Sequence, residues 1–464
     1  EYKNAIRPVR ARLVNAQDGS IELENKLDFT NLKNYITITA ELLYDGEVAE
    51  TIQLDPVDLQ PHCKSVIRIP YSTSYLTDPD KKLSLTLRLI YTQVKAAPLT
   101  GEGHELGFDQ LFLKESTAAF IHAGQNNSCT ATAASVNNVS VNNVNINNIN
   151  VNNVNINNAI VNTDGQTDKP QANSKTSETT KIEIEESGAK IIVKGPNYNY
   201  CFNKLHGCFD SIVVNQQTIL EQPLEFNIWR APTDNDSSIS HSWRKARYNR
   251  AVTRVYETAV LQEEQTTIIR CRLAITAIQI QHILDLDVTW YIAKDGTLTV
   301  QINGKRDPLL PFLPRFGLRF FLPAKFQRVN YLGYGPNESY IDKHRSSWYG
   351  RFDDSVDNQY VDYIKPQENS SHYNCSDLTL SSKYGSRIHI TAAEPFSFQA
   401  GRYTQEELQT KGHNYELCKS SSTILCLDYK MSGVGSNSCG PALSEKYQLR
   451  EEDISFQATL QFYE

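Results

Sequence analysis

The 464-residue sequence has a single methionine, no run of about 20 apolar residues and no block of clustered Lys and Arg. Without the apolar run, no transmembrane helix is predicted. Without the basic block, and with 53 acidic against 46 basic residues for a net charge of −7, a nucleic-acid partner has no electrostatic footprint. The nine cysteines are dispersed and none falls in a CxxC pair, which excludes an obvious zinc site or disulfide framework. Reduced, buried thiols in a cytoplasmic protein are the expectation, although six Asn-x-Ser sequons such as Asn369-Ser370-Ser371 leave a secreted origin open. The chain opens Glu1-Tyr2-Lys3, with neither an initiator Met nor a charged-then-apolar leader, and so reads as a processed or excised piece. Its length predicts two or three domains.

Helical periodicity is also scarce. Residues 36–43 (ITITAELL) and 48–54 (VAETIQL) flank Tyr44-Asp45-Gly46-Glu47, a hairpin signal, and residues 83–90 (LSLTLRLI) alternate apolar with polar. This pattern predicts a small antiparallel sandwich of immunoglobulin or fibronectin type. Beyond Lys181 the strand pattern resumes at 267–274, 286–292, 297–302 and 456–462 and predicts a large β-sandwich. One short helix is expected, with Thr404 as its cap and Glu407 reaching back in a capping box. No (β/α)₈ alternation is present.

From Ser116 to Thr163 there is no Asp, Glu, Lys or Arg. Within that window a pentapeptide repeats as VNNVS, VNNVN, INNIN, VNNVN and INNAI. The repeats are too few to stack into a β-helix, so an Asn-rich low-complexity linker is predicted.

Several segments are richer in Gly, Pro, Asn, Asp and aromatics than turns require. Residues 227–236 (NIWRAPTDND) bring together Trp229, Arg230, Asp234, Asn235 and Asp236. An indole can stack on a sugar's apolar face while carboxylates, amide and guanidinium share its hydroxyls. The structural alternative is a loop whose Asp and Asn satisfy local backbone and whose Arg forms an internal ion pair. In residues 331–343, Glu338 and Asp342 could act as acid and base, but Gly335-Pro336 breaks any helix that would align them, so buried hydrogen bonding is the favoured role. Residues 432–441 (SGVGSNSCGP) are Gly-rich without being a P-loop, and loop positioning against another surface is expected of them.

Taken in order, GHELGFDQ (103–110), NIWRAPTDND (227–236), PRFGL (314–318), YLGYGPNESY (331–340), KPQEN (365–369) and DYKMSGVGSNSCGP (428–441) resemble the C-terminal half of a family 2 β-galactosidase. The resemblance implies an all-β chain in three parts. Residues 1–116 would be the immunoglobulin-like β-sandwich that follows the catalytic barrel, and residues 181–464 the β-galactosidase small-chain domain, a large galactose-mutarotase-like β-sandwich. Residues 117–180, the Asn-rich insert, match no family pattern.

By the same resemblance the parent enzyme hydrolyses terminal β-D-galactosides such as lactose with retention, using two carboxylates about 5 Å apart. Those carboxylates, with the principal magnesium and sodium sites, belong to a (β/α)₈ barrel that this sequence lacks. The chain alone is therefore expected to have no catalytic residue, no metal and no cofactor of its own. Its implied partners are that barrel, on the same polypeptide or a large subunit, a galactoside substrate, and further copies in an oligomer. Its loops would wall the sugar pocket through Trp229, Arg230, Asp234, Asn235, Asp236, Asn437, Ser438 and Cys439. Many family members carry Trp where Cys439 stands, and a thiol offers no stacking face. Two other readings compete: a stand-alone carbohydrate-binding or assembly module, and an aldose 1-epimerase, for which none of the ten His lies in a matching segment.

Overall fold

A computed structural model describes residues 1–77, 84–114, 182–263, 265–435 and 440–464. The pentapeptide repeat and the rest of the Asn-rich insert lie outside the described residues, as do Asn437, Ser438 and Cys439.

The N-terminal part is a two-layer sandwich. One sheet has three strands, Val9–Asn15, Ser20–Asn25 and Lys64–Arg68. The other has four, in the order Glu47–Gln53, Ile36–Tyr44, Leu85–Gln93 and Glu105–Lys114, and every pair is antiparallel. Period-two alternation turns Ile36, Ile38, Ala40 and Leu42 inward with Leu85, Leu87, Leu89 and Tyr91, and these side chains form one buried core. The Tyr91 hydroxyl donates to Asp109 at 2.8 Å, which satisfies a polar atom that burial would otherwise isolate.

The C-terminal part is a larger all-β assembly. A five-stranded sheet runs in the order Gln217–Thr218, Cys208–Val214, Tyr198–Asn203, Lys190–Lys194 and Glu183–Ser187. It shares a hydrophobic core with a 12-stranded sheet, where Trp290 meets Phe209 edge-on at 5.1 Å and donates its indole N–H to the Gly207 carbonyl. In the larger sheet the main path begins Gln222–Asn227, Arg315–Pro323, Ser422–Met431 and Arg387–Gly401. Neighbours on that path are far apart in sequence. The ends of these strands consequently gather segments that sequence order keeps separate.

Local expectations fare unevenly. Asp45 and Gly46 both take positive φ, 49° and 81°, as a two-residue hairpin turn requires. Thr404 accepts from Glu407 N at 3.0 Å and caps the Gln405–Thr410 helix. The Glu407 carboxylate, however, does not close a capping box. It accepts instead from the Cys418 backbone N–H at 2.8 Å, a donor brought in by the following loop. Two further helices stand beside the predicted one among the described residues: a single turn at Tyr2–Ala5, and Ile239–Lys245, which forms around the wholly buried Trp243.

The two sandwiches meet through that predicted turn. Arg351 N donates to the Gly46 carbonyl at 2.9 Å, and a Cβ on Gly46 would fall 2.4 Å from Leu332 Cδ1 and 2.6 Å from Arg351 N. Beside it the Gln110 amide pairs with both backbone groups of Tyr349 at 2.7 Å, and the Arg88 guanidinium lies 3.9 Å from the centre of the Trp348 ring. Gly46→Ala should thus lower stability by roughly 1–3 kcal/mol through backbone strain, with added overlap at the contact. Gly188→Ala is the matched control, with φ at 57° and nothing within 4 Å of its Cβ. Thermal melting that finds the two variants equally stable would remove the contact contribution.

Candidate functional site

The loop at 227–236 is built from its own side chains first. Asn227 Oδ1 accepts from Trp229 N at 3.1 Å, and Thr233 and Asp236 form a reciprocal capping box around the Asp234–Asp236 turn. That box turns the Asp236 carboxylate inward, against Arg230. The guanidinium gives Asp236 a bidentate pair at 3.0 and 2.7 Å, then donates to the carbonyls of Ser432 at 2.5 Å and Gly433 at 2.9 Å. Arg230 is 0% exposed, so these partners replace its whole solvent shell.

Arg230 therefore ties the first loop to a second, at 432–435. Asn235 Nδ2 reinforces the tie with a 2.7 Å bond to the Val434 carbonyl. From the other side Asp342 accepts from Val434 N at 2.9 Å and Gly435 N at 2.7 Å. Gly433 is required by this approach, since a Cβ there would stand 2.5 Å from the Asp342 carboxyl carbon. Carbonyls gripped by Arg230 and Asn235, and amides gripped by Asp342, make a two-sided clamp on residues 432–435.

A second buried arginine lies behind the clamp. Arg315 takes Asp428 at 3.1 and 2.5 Å, and its remaining nitrogen reaches Glu368 at 3.2 Å and Gln399 at 3.1 Å. Burial pushes the Glu368 carboxyl up to about 7; Arg315 and Arg230 pull it down, and Asp428 and Glu338 push it further up. Glu338 is held by Lys343 at 2.5 Å, by the Ser370 backbone N–H at 3.0 Å and by the Tyr363 hydroxyl. Glu338 and Asp342 thus anchor backbone and neighbouring side chains, and no acid/base pair is formed between them. Nearby, burial pushes His372 down to about 4.

The sequence-predicted residues divide into two groups. Trp229, Arg230 and Asp236 are internal: the Trp229 ring is 5% exposed, stands edge-on to Trp243 at 6.3 Å, and donates its N–H to Gln409. All three side chains are buried, with their hydrogen bonds made inside the fold. Asp234 and Asn235 stay nearer the surface, Asp234 exposed and paired with Lys365 at 3.0 Å, Asn235 half-buried on the clamp. Arg315, Glu368 and Asp428 lie in PRFGL, KPQEN and DYKMSGVGSNSCGP, where residue type alone gives none of them a role. The usable signal was a charge inside an apolar strand, as in PRFGLRFFL and ILCLDYKM. Among the described residues, no group of three or more His, Cys, Asp or Glu could hold a metal ion.

Residues 194–460 match the family model described as beta galactosidase small chain, and residues 21–114 match the one described as beta-galactosidase, domain 4. The β-galactosidase of Actinobacillus pleuropneumoniae is 36% identical over 464 residues, covering 100% of this chain and 39% of that protein. That of Staphylococcus xylosus is 29% identical over 466 residues, covering 100% and 40%. The chain thus spans about two fifths of the length of these relatives. A solved galactose 1-epimerase from Lactobacillus acidophilus aligns with 61% of this chain and 98% of its own at 9% identity and a TM-score of 0.34.

The buried Glu368 has a measurable consequence. Its carboxyl is raised from 4.5 to about 7, so the folded chain keeps a proton that the unfolded chain has released. Its contribution to stability is full below about pH 4.5 and lost as pH rises through about 7. His372, depressed from 6.5 to about 4, acts oppositely: its contribution is present above pH 6.5 and lost as pH falls through 4. Glu368→Gln, which mimics the protonated carboxyl, should gain about 3 kcal/mol relative to the unaltered chain between pH 4.5 and 7. Melting curves across that interval test it, and a difference that stays constant with pH would exclude a proton held on Glu368.

Proposed function

Because the chain belongs to the β-galactosidase small-chain family, we propose that it is the non-barrel, C-terminal portion of a retaining β-galactosidase acting on terminal β-D-galactosides such as lactose. In this reading the two catalytic carboxylates, about 5 Å apart, sit on a (β/α)₈ barrel outside this sequence. This chain supplies assembly surface and a wall of the sugar pocket. The magnesium and sodium that the resemblance implies would belong with the barrel.

The observation that supports the wall role is the clamp on residues 432–435. A pocket wall must hold its backbone within a fraction of an ångström if it is to favour one substrate pose. Fixing both the carbonyl and the amide side of a short Gly-rich stretch does that without a regular element. Asp234 and Asn235 lie on the same loop as Arg230 and place polar groups beside the clamp. Asn437, Ser438 and Cys439, which follow it in sequence, complete the set of residues proposed to approach the substrate.

Mixing the purified chain with a barrel-bearing β-galactosidase segment should restore hydrolysis of an aryl β-galactoside, while either piece alone stays inactive. Hydrolysis by this chain alone, or failure to bind and activate a cognate barrel, would overturn the reading. Within an active complex, Asn235→Ala releases the Val434 carbonyl from the clamp and should lower kcat/KM by roughly tenfold to a hundredfold. The melting temperature of the chain should change little, because a half-buried residue loses one hydrogen bond.

A further inference from the structure

Ile364 and Tyr415 are 78% and 79% exposed, although both side chains are large and mainly apolar. One such residue on a surface is ordinary. These two come from different loops that are fastened together. Asn414 N donates to the Ile364 carbonyl at 2.9 Å, and Asn414 Nδ2 donates to Asp362 at 2.9 Å. The orientation of Tyr415 is also held. Its ring stacks on His413 with centroids 5.0 Å apart at 11°, its hydroxyl lies 3.2 Å from His413 Nδ1, and that nitrogen lies 2.9 Å from Glu416. An exposed aromatic fixed in this way loses little freedom on meeting a partner, which is the property of an interface anchor.

The pair stands at the clamp end of the large sandwich. Lys365, next to Ile364, pairs with Asp234 at 3.0 Å, Gln367 Oε1 accepts from Asp234 N at 2.9 Å, and Glu368 N donates to the Ala231 carbonyl at 2.9 Å. The 361–369 loop is thereby strapped to the 227–236 loop on one side and to the 411–417 loop on the other. Nearby charges are compensated within the chain, Lys365 by Asp234 and Lys411 by Glu407, so an apolar counterpart suits this surface better than a highly charged one. About three fifths of each long relative lies outside the part matched here, which leaves a large body to be seated. With the 227–236 loop as a wall of a pocket that a barrel completes, the surface flanking that loop is covered when the two pieces meet. Resting on that reading, we propose that Ile364 and Tyr415 are anchors by which this chain docks an apolar patch of the barrel-bearing segment.

Complex formation between the 464-residue chain and a barrel-bearing β-galactosidase segment tests the assignment, read by calorimetry or analytical ultracentrifugation rather than by hydrolysis. Ile364→Asp and Tyr415→Ala should each weaken the complex roughly tenfold or more, while the melting temperature of the chain holds, because neither side chain is in a core. Tyr384→Asp is the control. Tyr384 is 75% exposed and follows the Ser371–Ser382 strand, whose first residue is near the clamp end, so the strand carries it roughly 35 Å away. That variant should bind like the unaltered chain, and added salt should change the affinity little. Full-strength binding by both the Ile364 and Tyr415 variants would overturn the anchors. So would equal weakening by Tyr384→Asp, or substitutions that alter only self-association of the chain. An unaltered chain that does not bind the barrel segment removes the underlying reading and the anchors together, whereas binding that ignores both substitutions removes the anchors alone.

Discussion

Two guanidinium groups with no solvent contact govern one end of the large sandwich. Arg230 and Arg315 are each 0% exposed, and a buried cation is tolerable only when every donor finds an acceptor. Asp236 lies six residues from Arg230, but the Ser432 and Gly433 carbonyls come from 202 and 203 residues away. Arg315 draws Glu368 from 53 residues away and Asp428 from 113. Once these charges are buried, the segments that carry their partners must converge. Removing Asp236 or Asp428 would strand a charge at a penalty of about 3–5 kcal/mol, far more than an exposed ion pair such as Asp234 with Lys365 contributes. Burial, with the charges of Asp428 and Glu338 adding to it, holds the proton on Glu368 toward neutral pH.

This convergence explains what the residues revealed in advance and what they did not. The Asp45-Gly46 turn was legible because positive φ at two successive positions admits few residue types. Thr404 was legible as a cap for a similar local reason. Glu407 was not, since its carboxylate had two possible donors and only the folded loop brings Cys418 N into competition. The Ile239–Lys245 helix is too short to display a period, and its stability comes from packing Trp243 into the core. For the site, the segments rich in Gly, Asp and Asn were conspicuous while their roles were not. Arg230 is as good a sugar ligand as an internal clamp on chemistry alone; what decides is burial, which is a property of the fold.

The same logic separates the scaffold from the surfaces that can meet a substrate. The arginine-centred network keeps the 227–236 and 432–435 loops in fixed relation, and its members are unavailable for chemistry because their hydrogen-bonding groups are already engaged. Asp234 and Asn235 lie nearer solvent.

The seat of Gly46 against Leu332 and Arg351 makes the spacing of the two sandwiches a matter of contact rather than of connection. Residues on either side of the stretch between Lys114 and Ile182 hold the two sandwiches together directly, through Gly46, Gln110 and Trp348. The intervening chain is thereby released from setting their spacing. Closure entropy rises only by about 0.6 kcal/mol per doubling of such a connection. A few contacts at the Gly46 turn, rather than the length of the covalent connection, therefore fix the spacing of the two sandwiches.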